Sequence, residues 1–315
     1  MNPWLLIGPI APLLWSLAAI IDKYLVTRYF GGVNSDGSNS SGSVGSFILF
    51  SSLLAGIICI PLLVLIDGIF QISIKDMAFL VAGGVFGVTC VILYLIALQE
   101  EELSLIVPWW QTIPLFGYLF GYLFLGEAMT KGQFIAGAII LIGASILSID
   151  FRKKFHFRKK IAFLMLGSSV SYAIGGLFFK IATPIDSFWI SVFWEHVGIL
   201  LVGICLYTIV SRYRNDFLHV LKTQGSKILG LNVLNETLNT GGVIITNFTT
   251  LTMPLALGWI VTNGIQPFIL FILTIMLTLF IPSILKEDVG VKNLLPKCIG
   301  TAIMITGTFL LFFLA

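Results

Sequence analysis

The sequence predicts an all-α membrane protein of ten transmembrane helices in two inverted five-helix repeats. Three observations predict it. The composition is too apolar for a water-exposed surface, the apolar residues fall in ten span-length runs, and the second half of the chain echoes the first across a basic hinge.

The chain has 315 residues, of which 57% are hydrophobic and 10% charged, and its mean hydropathy is +1.02. Soluble domains carry about 25% charged residues, so this balance excludes a cytosolic enzyme, a nucleic-acid binder and a disordered chain. A span needs ~20 apolar residues, so ten spans would use roughly 200 and leave about 115 for loops, too few for a sizeable soluble domain. Continuous rather than alternating apolar runs disfavour a β-barrel.

The runs are 3–24, 46–66, 77–98, 103–125, 131–149, 161–182, 187–210, 226–248, 253–281 and 293–314. Met1 leads into the first without a basic stretch, so that run reads as a span and not as a cleaved leader. The breaks have sensible chemistry. Residues 31–46 are a Gly/Ser linker, residues 150–160 (DFRKKFHFRKK) a basic hinge at the midpoint, and residues 211–224 a polar, interfacial segment. Gln99, Glu100, Glu101 and Glu102 read as a solvated loop between spans 3 and 4. Pro108, Pro114, Pro254 and Pro267 lie in or at the ends of spans, where membrane helices tolerate them. The cysteines Cys59, Cys90, Cys205 and Cys298 are scattered in or beside apolar runs and read as small core residues.

An even number of spans puts both termini on one side. The loops on the opposite side hold fifteen of the eighteen basic residues, six of them in Arg152–Lys160; only Lys75, Lys131 and Lys180 fall on the side of the termini. Cytoplasmic loops collect Lys and Arg, so both termini are expected to face away from the cytoplasm. The basic hinge is then a topology determinant that also touches anionic headgroups.

The halves resemble each other. Trp15 precedes Lys23 by eight positions in span 1, and Tyr172 precedes Lys180 by eight in span 6. Gln111-Thr112-Ile113-Pro114 in span 4 finds a counterpart in Asn263-Gly264-Ile265-Gln266-Pro267 in span 9, Glu127 in Glu287, and Gly137 and Gly143 in Gly300 and Gly307. Five spans is an odd number, so the halves, 1–150 and 161–315 around the hinge 151–160, run in opposite orientations. Inverted repeats around a central site are a transporter device that permits alternating access.

These residues resemble the EamA-type members of the drug/metabolite transporter superfamily. The resemblance is closest over 94–148, in Tyr94-x-x-Ala97-Leu98, Pro108, Pro114, Leu125-Gly126-Glu127, Gln133, Gly137 and Gly143. It is looser over 247–310, where the Leu-Gly-Glu element becomes Leu285-Lys286-Glu287. The resemblance implies two EamA-like repeats, a cavity between them, a small-molecule substrate and the plasma (inner) membrane. It departs at one point: the family is commonly drawn with cytoplasmic termini, the reverse of the basic-residue count.

Ionisable groups inside spans are costly and mark function by default. Asn232, Glu236 and Asn239 in span 8 are spaced i, i+4, i+7 and share one helix face. This stripe reads as cavity lining, with an interhelical clamp as the alternative. Glu236 is the first candidate for a carboxyl group that exchanges protons or pairs with a substrate ammonium. Glu195 is second, and beside Trp194 and His196 in span 7 it could serve a proton relay. Gln111, Tyr94, Trp259 and Asn263 complete the candidate substrate-binding and proton-binding set; the tryptophans Trp109, Trp110 and Trp259 read equally as an interfacial belt or as cavity walls. Lys23 and Lys180 could pair with Asp22 or Asp186, reach headgroups, or neutralise an anionic substrate.

No Gly-x-Ser-x-Gly, His-Glu-x-x-His or phosphate-loop motif is present, and no metal-ligand spacing, so neither an enzyme nor a metal site nor a cofactor is expected. The function expected is secondary active transport of a small polar or amphiphilic metabolite, of amino-acid or amine type, with protons as a coupling partner. The alternative is a flippase for a lipid-linked polar headgroup. Expected partners are the substrate, membrane lipids and a second copy of the chain, with no nucleic acid.

Overall fold

A computed structural model describes residues 7–30, 43–128, 130–147, 159–184, 187–282 and, beyond these, stretches of one to three residues. Among these there is no strand. Most of the linker, hinge residues 150–158, Asp186, Glu287 and most of run 293–314 lie outside the described residues.

Nine of the ten apolar runs fall on helices. They are α1 (Ile10–Leu25, continued as a π turn over Val26–Phe30), α2 (Val44–Leu65), α3 (Ile74–Glu100), α4 (Leu103–Leu125), α5 (Lys131–Leu147), α6 (Lys159–Ala182), α7 (Phe188–Ile209), α8 (Ser211–Thr252) and α9 (Leu255–Phe280). Seven of these, all but α5 and α8, are long and apolar enough to cross a membrane. Their starts are chemically marked. Ser43 and Ser46 form a reciprocal capping box at α2. Ser73 accepts the Asp76 N–H at α3, and Thr130 and Gln133 cap each other at α5. Exposed Leu65, Phe124, Phe163, Ile209 and Phe280 face outward, while Asn232, Asn263, Gln266 and His196 are buried. A helical bundle in lipid has this polarity.

Three boundaries differ from expectation. The polar segment 211–224 is helical and leads directly into the eighth run, with a kink at Gly225 (φ 24°, ψ −109°) marking the join. Helix α3 continues through Gln99 and Glu100, so the break before α4 is only Glu101–Glu102; Lys160 pairs with Glu100, and Gln99 donates to the Phe30 carbonyl. Helices α4 and α9 are interrupted. In α4 the Val107–Thr112 stretch around Pro108 is 3₁₀ and Gly121–Leu125 is a π turn; α9 breaks at Gly264–Ile265, before Pro267. Proline removes a backbone donor and crowds the preceding turn.

The packing pattern maps onto itself when α1 is exchanged with α6, α2 with α7, α3 with α8 and α4 with α9. The pair α3–α6 answers to α8–α1, α3–α7 to α8–α2, and α4–α6 to α9–α1, whereas α2–α7 and α4–α9 are their own counterparts. Trp15 and Tyr172, matched in sequence, meet edge to face at 6.3 Å.

Lys23 and Lys180 also occupy matching places. Lys23 Nζ donates to the Leu98 and Glu101 carbonyls at 2.8 and 2.7 Å, where α3 ends. Lys180 Nζ donates to the Met253 carbonyl at 2.7 Å, where α8 ends, and pairs with Glu127 Oε1 at 2.6 Å. The last carbonyls of a helix have no partner within it, and a cation satisfies them. Of the readings open for these lysines, the contacts observed are with helix ends and Glu127, and Asp22 bonds Asn235 instead.

The Leu125-Gly126-Glu127 motif has a local cause. Gly126 closes α4 with a positive φ of 68°, the Glu127 N–H turns back to the Gly121 carbonyl, and the carboxylate is delivered to Lys180. Gly121 leaves the room: a Cβ there would stand 2.9 Å from Glu127 Oε2.

Candidate functional site

A cavity of ≈ 190 Å³ lies at mid-length between the helices, walled by α1, α2, α3, α6, α7 and α8, with α4 and α9 touching it through Trp110, Ile113 and Asn263. It owes its shape to small residues. A Cβ at Gly84 would stand 2.1 Å from the Glu195 carbonyl oxygen, and one at Gly198 would stand 2.2 Å from the Val81 oxygen. Glycine at both positions lets the α3 and α7 backbones touch, as small residues do in membrane bundles. Gly83 and Gly175 make the matching approach between α3 and α6.

One wall is the polar face of α8. Asn235, Glu236, Asn239, Thr240, Val243 and Asn247 all line the cavity. Asn232 lies on the same stripe one turn nearer the start of α8. It is fully buried and bonds the Ile228 carbonyl of its own helix at 3.0 Å, outside the cavity lining.

Opposite α8, Asp22 of α1 accepts the Asn235 Nδ2–H at 2.7 Å. Glu195 of α7 accepts the Asn247 Nδ2–H at 2.9 Å. Each of these carboxyl groups is thus held by an asparagine from the cavity-lining side of α8. His196, 3% exposed, places Nδ1 2.8 Å from the Val192 carbonyl oxygen. A carbonyl only accepts, so Nδ1 carries a proton there.

The remaining wall is aromatic. Tyr94 and Trp110 pack at 4.6 Å between centroids, and Trp15 meets Tyr172. Trp110 Nε1–H is committed to Ser168 Oγ at 3.2 Å.

Of the residues singled out in the sequence, Glu236, Asn239, Glu195, His196, Tyr94 and Asn263 are brought together in this cavity. Four others lie elsewhere. Trp194 lies outside the cavity that Glu195 and His196 line, donates to the Ile69 carbonyl at 2.9 Å and packs on Phe70 and Phe193. Gln111 is buried and ties α4 to the Asn263 carbonyl at 2.8 Å. Trp259, 1% exposed, stands behind Tyr172 at 5.8 Å and fills the space left by Gly117 and Gly176. Asn232 is the fourth.

Sequence reasoning passed over Asp22, Asn235, Asn247, Trp15 and Tyr172 as site residues. A signal existed for Asp22: Trp15, Ala19 and Asp22 follow the i, i+4, i+7 rhythm and all three line the cavity. Among the described residues no group of acidic, His and Cys side chains is arranged to hold a metal ion.

The sequence model of the EamA-like transporter family matches residues 2–149. No curated protein sequence matches the chain. Among solved structures, a crystal structure of a protein superposes on 100% of this chain and 98% of its own, with a TM-score of 0.56 at 15% identity. At that identity the likeness concerns the fold alone.

Proposed function

We propose, from the premise that residues 2–149 belong to the EamA-like transporter family, that this chain is a secondary transporter of a small polar or amphiphilic metabolite of amine or amino-acid type. The observation that carries the reading is the central cavity, where carboxyl groups from α1, α7 and α8, Asp22 buried and Glu195 and Glu236 half-buried, converge between matched helices. A buried carboxyl group costs stability in a membrane protein and is retained for a task.

The architecture we propose is ten transmembrane helices in two inverted five-helix repeats. The self-matching packing pattern and the equivalent places of Lys23 and Lys180 support it. Alternating access would rock the two halves about the cavity. Breaking and remaking the Lys180–Glu127 pair, which ties α6 and the α4–α5 link to the α8–α9 break, would accompany that motion. We place both termini on the non-cytoplasmic side, from the fifteen-to-three distribution of basic residues.

Protons are the proposed coupling ion, with Glu236 and Glu195 as carriers. Purified protein reconstituted in vesicles with an imposed pH gradient tests this. Uptake of a candidate substrate that collapses with the gradient, and loses its dependence on the gradient in Glu236→Gln, is expected. Gradient-insensitive uptake in the wild type would remove proton coupling from the account.

A further inference from the structure

We propose that the cavity takes an organic monoamine, its ammonium seated against Asp22, Asn235 and Glu236 and its apolar body against Trp15, Tyr94, Trp110 and Tyr172. The inference rests on the transporter reading of the same cavity and narrows it, excluding zwitterionic amino acids.

The charge inventory comes first. Among the described residues Asp22, Glu195 and Glu236 line the cavity and no lysine or arginine does. The two lysines on the surrounding helices point elsewhere, Lys23 to the end of α3 and Lys180 to the end of α8 and Glu127. The hydrogen-bonding inventory agrees. Asn235, 1% exposed, spends its N–H on Asp22 Oδ1, and its own Oδ1 is buried with no partner among the described residues. An acceptor beside two carboxyl groups calls for a ligand rich in N–H donors, and an ammonium has three donors and no acceptor. His196 also lines the cavity, with Nδ1 engaged by the Val192 carbonyl.

The aromatic walls choose the kind of cation. Five aromatic side chains line the cavity, Phe47 beside the four named, and a cation near an aromatic face is attracted by the ring quadrupole. A bare metal ion would leave those walls unused, and the acidic groups form no metal cluster among the described residues.

The carboxylate of an amino acid has no matching seat. Among the described residues it would meet three carboxyl groups and no cationic side chain. The break in α9 is a poor substitute, because Pro267 has no N–H and the amides of Phe268 and Ile269 both turn back to the Ile265 carbonyl.

The test uses four probes with one phenyl ring and a short chain: 2-phenylethylamine, L-phenylalanine, 2-phenylethanol and 3-phenylpropanoate. Binding is read by thermal shift on the full-length detergent-solubilised protein and by uptake into proteoliposomes. The expected result is stabilisation and uptake with the amine alone. Apparent affinity should fall at least tenfold in Asp22→Asn and, as a second variant with a different neighbourhood, in Glu236→Gln, each checked for monodispersity. Phenylalanine or phenylpropanoate binding as tightly as the amine would overturn the inference and leave the transporter reading standing. Amine binding unchanged in both folded variants would overturn the proposed seat. No uptake of any probe would also overturn the substrate class; the transporter reading itself falls only if the cavity opens to a single side of the membrane.

Discussion

Lys180 Nζ lies 2.6 Å from Glu127 Oε1, and the second oxygen of the same carboxylate accepts the Leu255 N–H at 2.7 Å. One ion pair therefore satisfies both edges of the α8–α9 break, the last carbonyl through the lysine and the first amide through the glutamate. Both side chains are mostly shielded, at 14% and 19% exposure. Lys180→Met should cost on the order of 2 kcal/mol, between surface and buried ion-pair values. Glu127→Gln keeps an acceptor for Leu255 and should cost less. Thermal unfolding of the single and double variants forms a cycle. Additive losses would mean that the two residues are not coupled.

The α3–α7 crossing supplies the second prediction. Gly84→Ala puts a methyl group 2.1 Å from the Glu195 carbonyl oxygen, a backbone atom that cannot swing aside. Gly87, on the same helix and also lining the cavity, has nothing within 4 Å of a Cβ. Gly84→Ala should therefore lower stability by about 1–3 kcal/mol, the usual cost of overpacking. Gly87→Ala should leave it unchanged or slightly raised. Unfolding midpoints of the purified variants decide, and equal midpoints would contradict the close approach.

Trp259 sits where Gly117 and Gly176 leave room, each with a would-be Cβ only 2.4 Å from its ring. Trp259→Ala empties that seat and should cost about 3–5 kcal/mol, as large-to-small core changes do. Trp194→Ala serves as a comparison outside the cavity; it removes a ring from the Phe70 and Phe193 cluster and should leave apparent substrate affinity unchanged. A rise in substrate KM with Trp194→Ala would mean that this ring reaches the site after all.

Glu236→Gln should keep the fold while removing the pH dependence of transport. Size-exclusion behaviour and unfolding midpoint report the first, and initial rates at several external pH values report the second. A variant with wild-type pH dependence would shift the proton role to Glu195.

The helices were legible because apolar runs of span length have few other fates, and nine of ten coincide with helices among the described residues. The eighth was harder to bound. The polar residues of 211–224 look like a loop, yet they continue the helix up to a kink at one glycine. At the site, the stripe on α8 was readable from its spacing, since i, i+4, i+7 defines a face without further knowledge. Its extent along the axis was not, and so Asn232 shares the face but misses the cavity. Asp22 was hidden by its neighbour. Adjacent to Lys23, it reads only as one partner open to that lysine, whereas consecutive helical positions diverge by roughly 100° and the two side chains serve different partners, Asn235 and the end of α3. Such long-range partnerships depend on which helices meet, which local sequence does not state.

The central claim is that this cavity is presented alternately to the two sides of the membrane. A single cysteine in place of Asn239, with Cys59, Cys90, Cys205 and Cys298 replaced, places a thiol on the cavity wall. Labelling by a membrane-impermeant thiol reagent in right-side-out and inside-out vesicles measures access from each side. Labelling from both sides is expected, slowed in both by bound substrate. Labelling from one side only, whatever the substrate present, would contradict it.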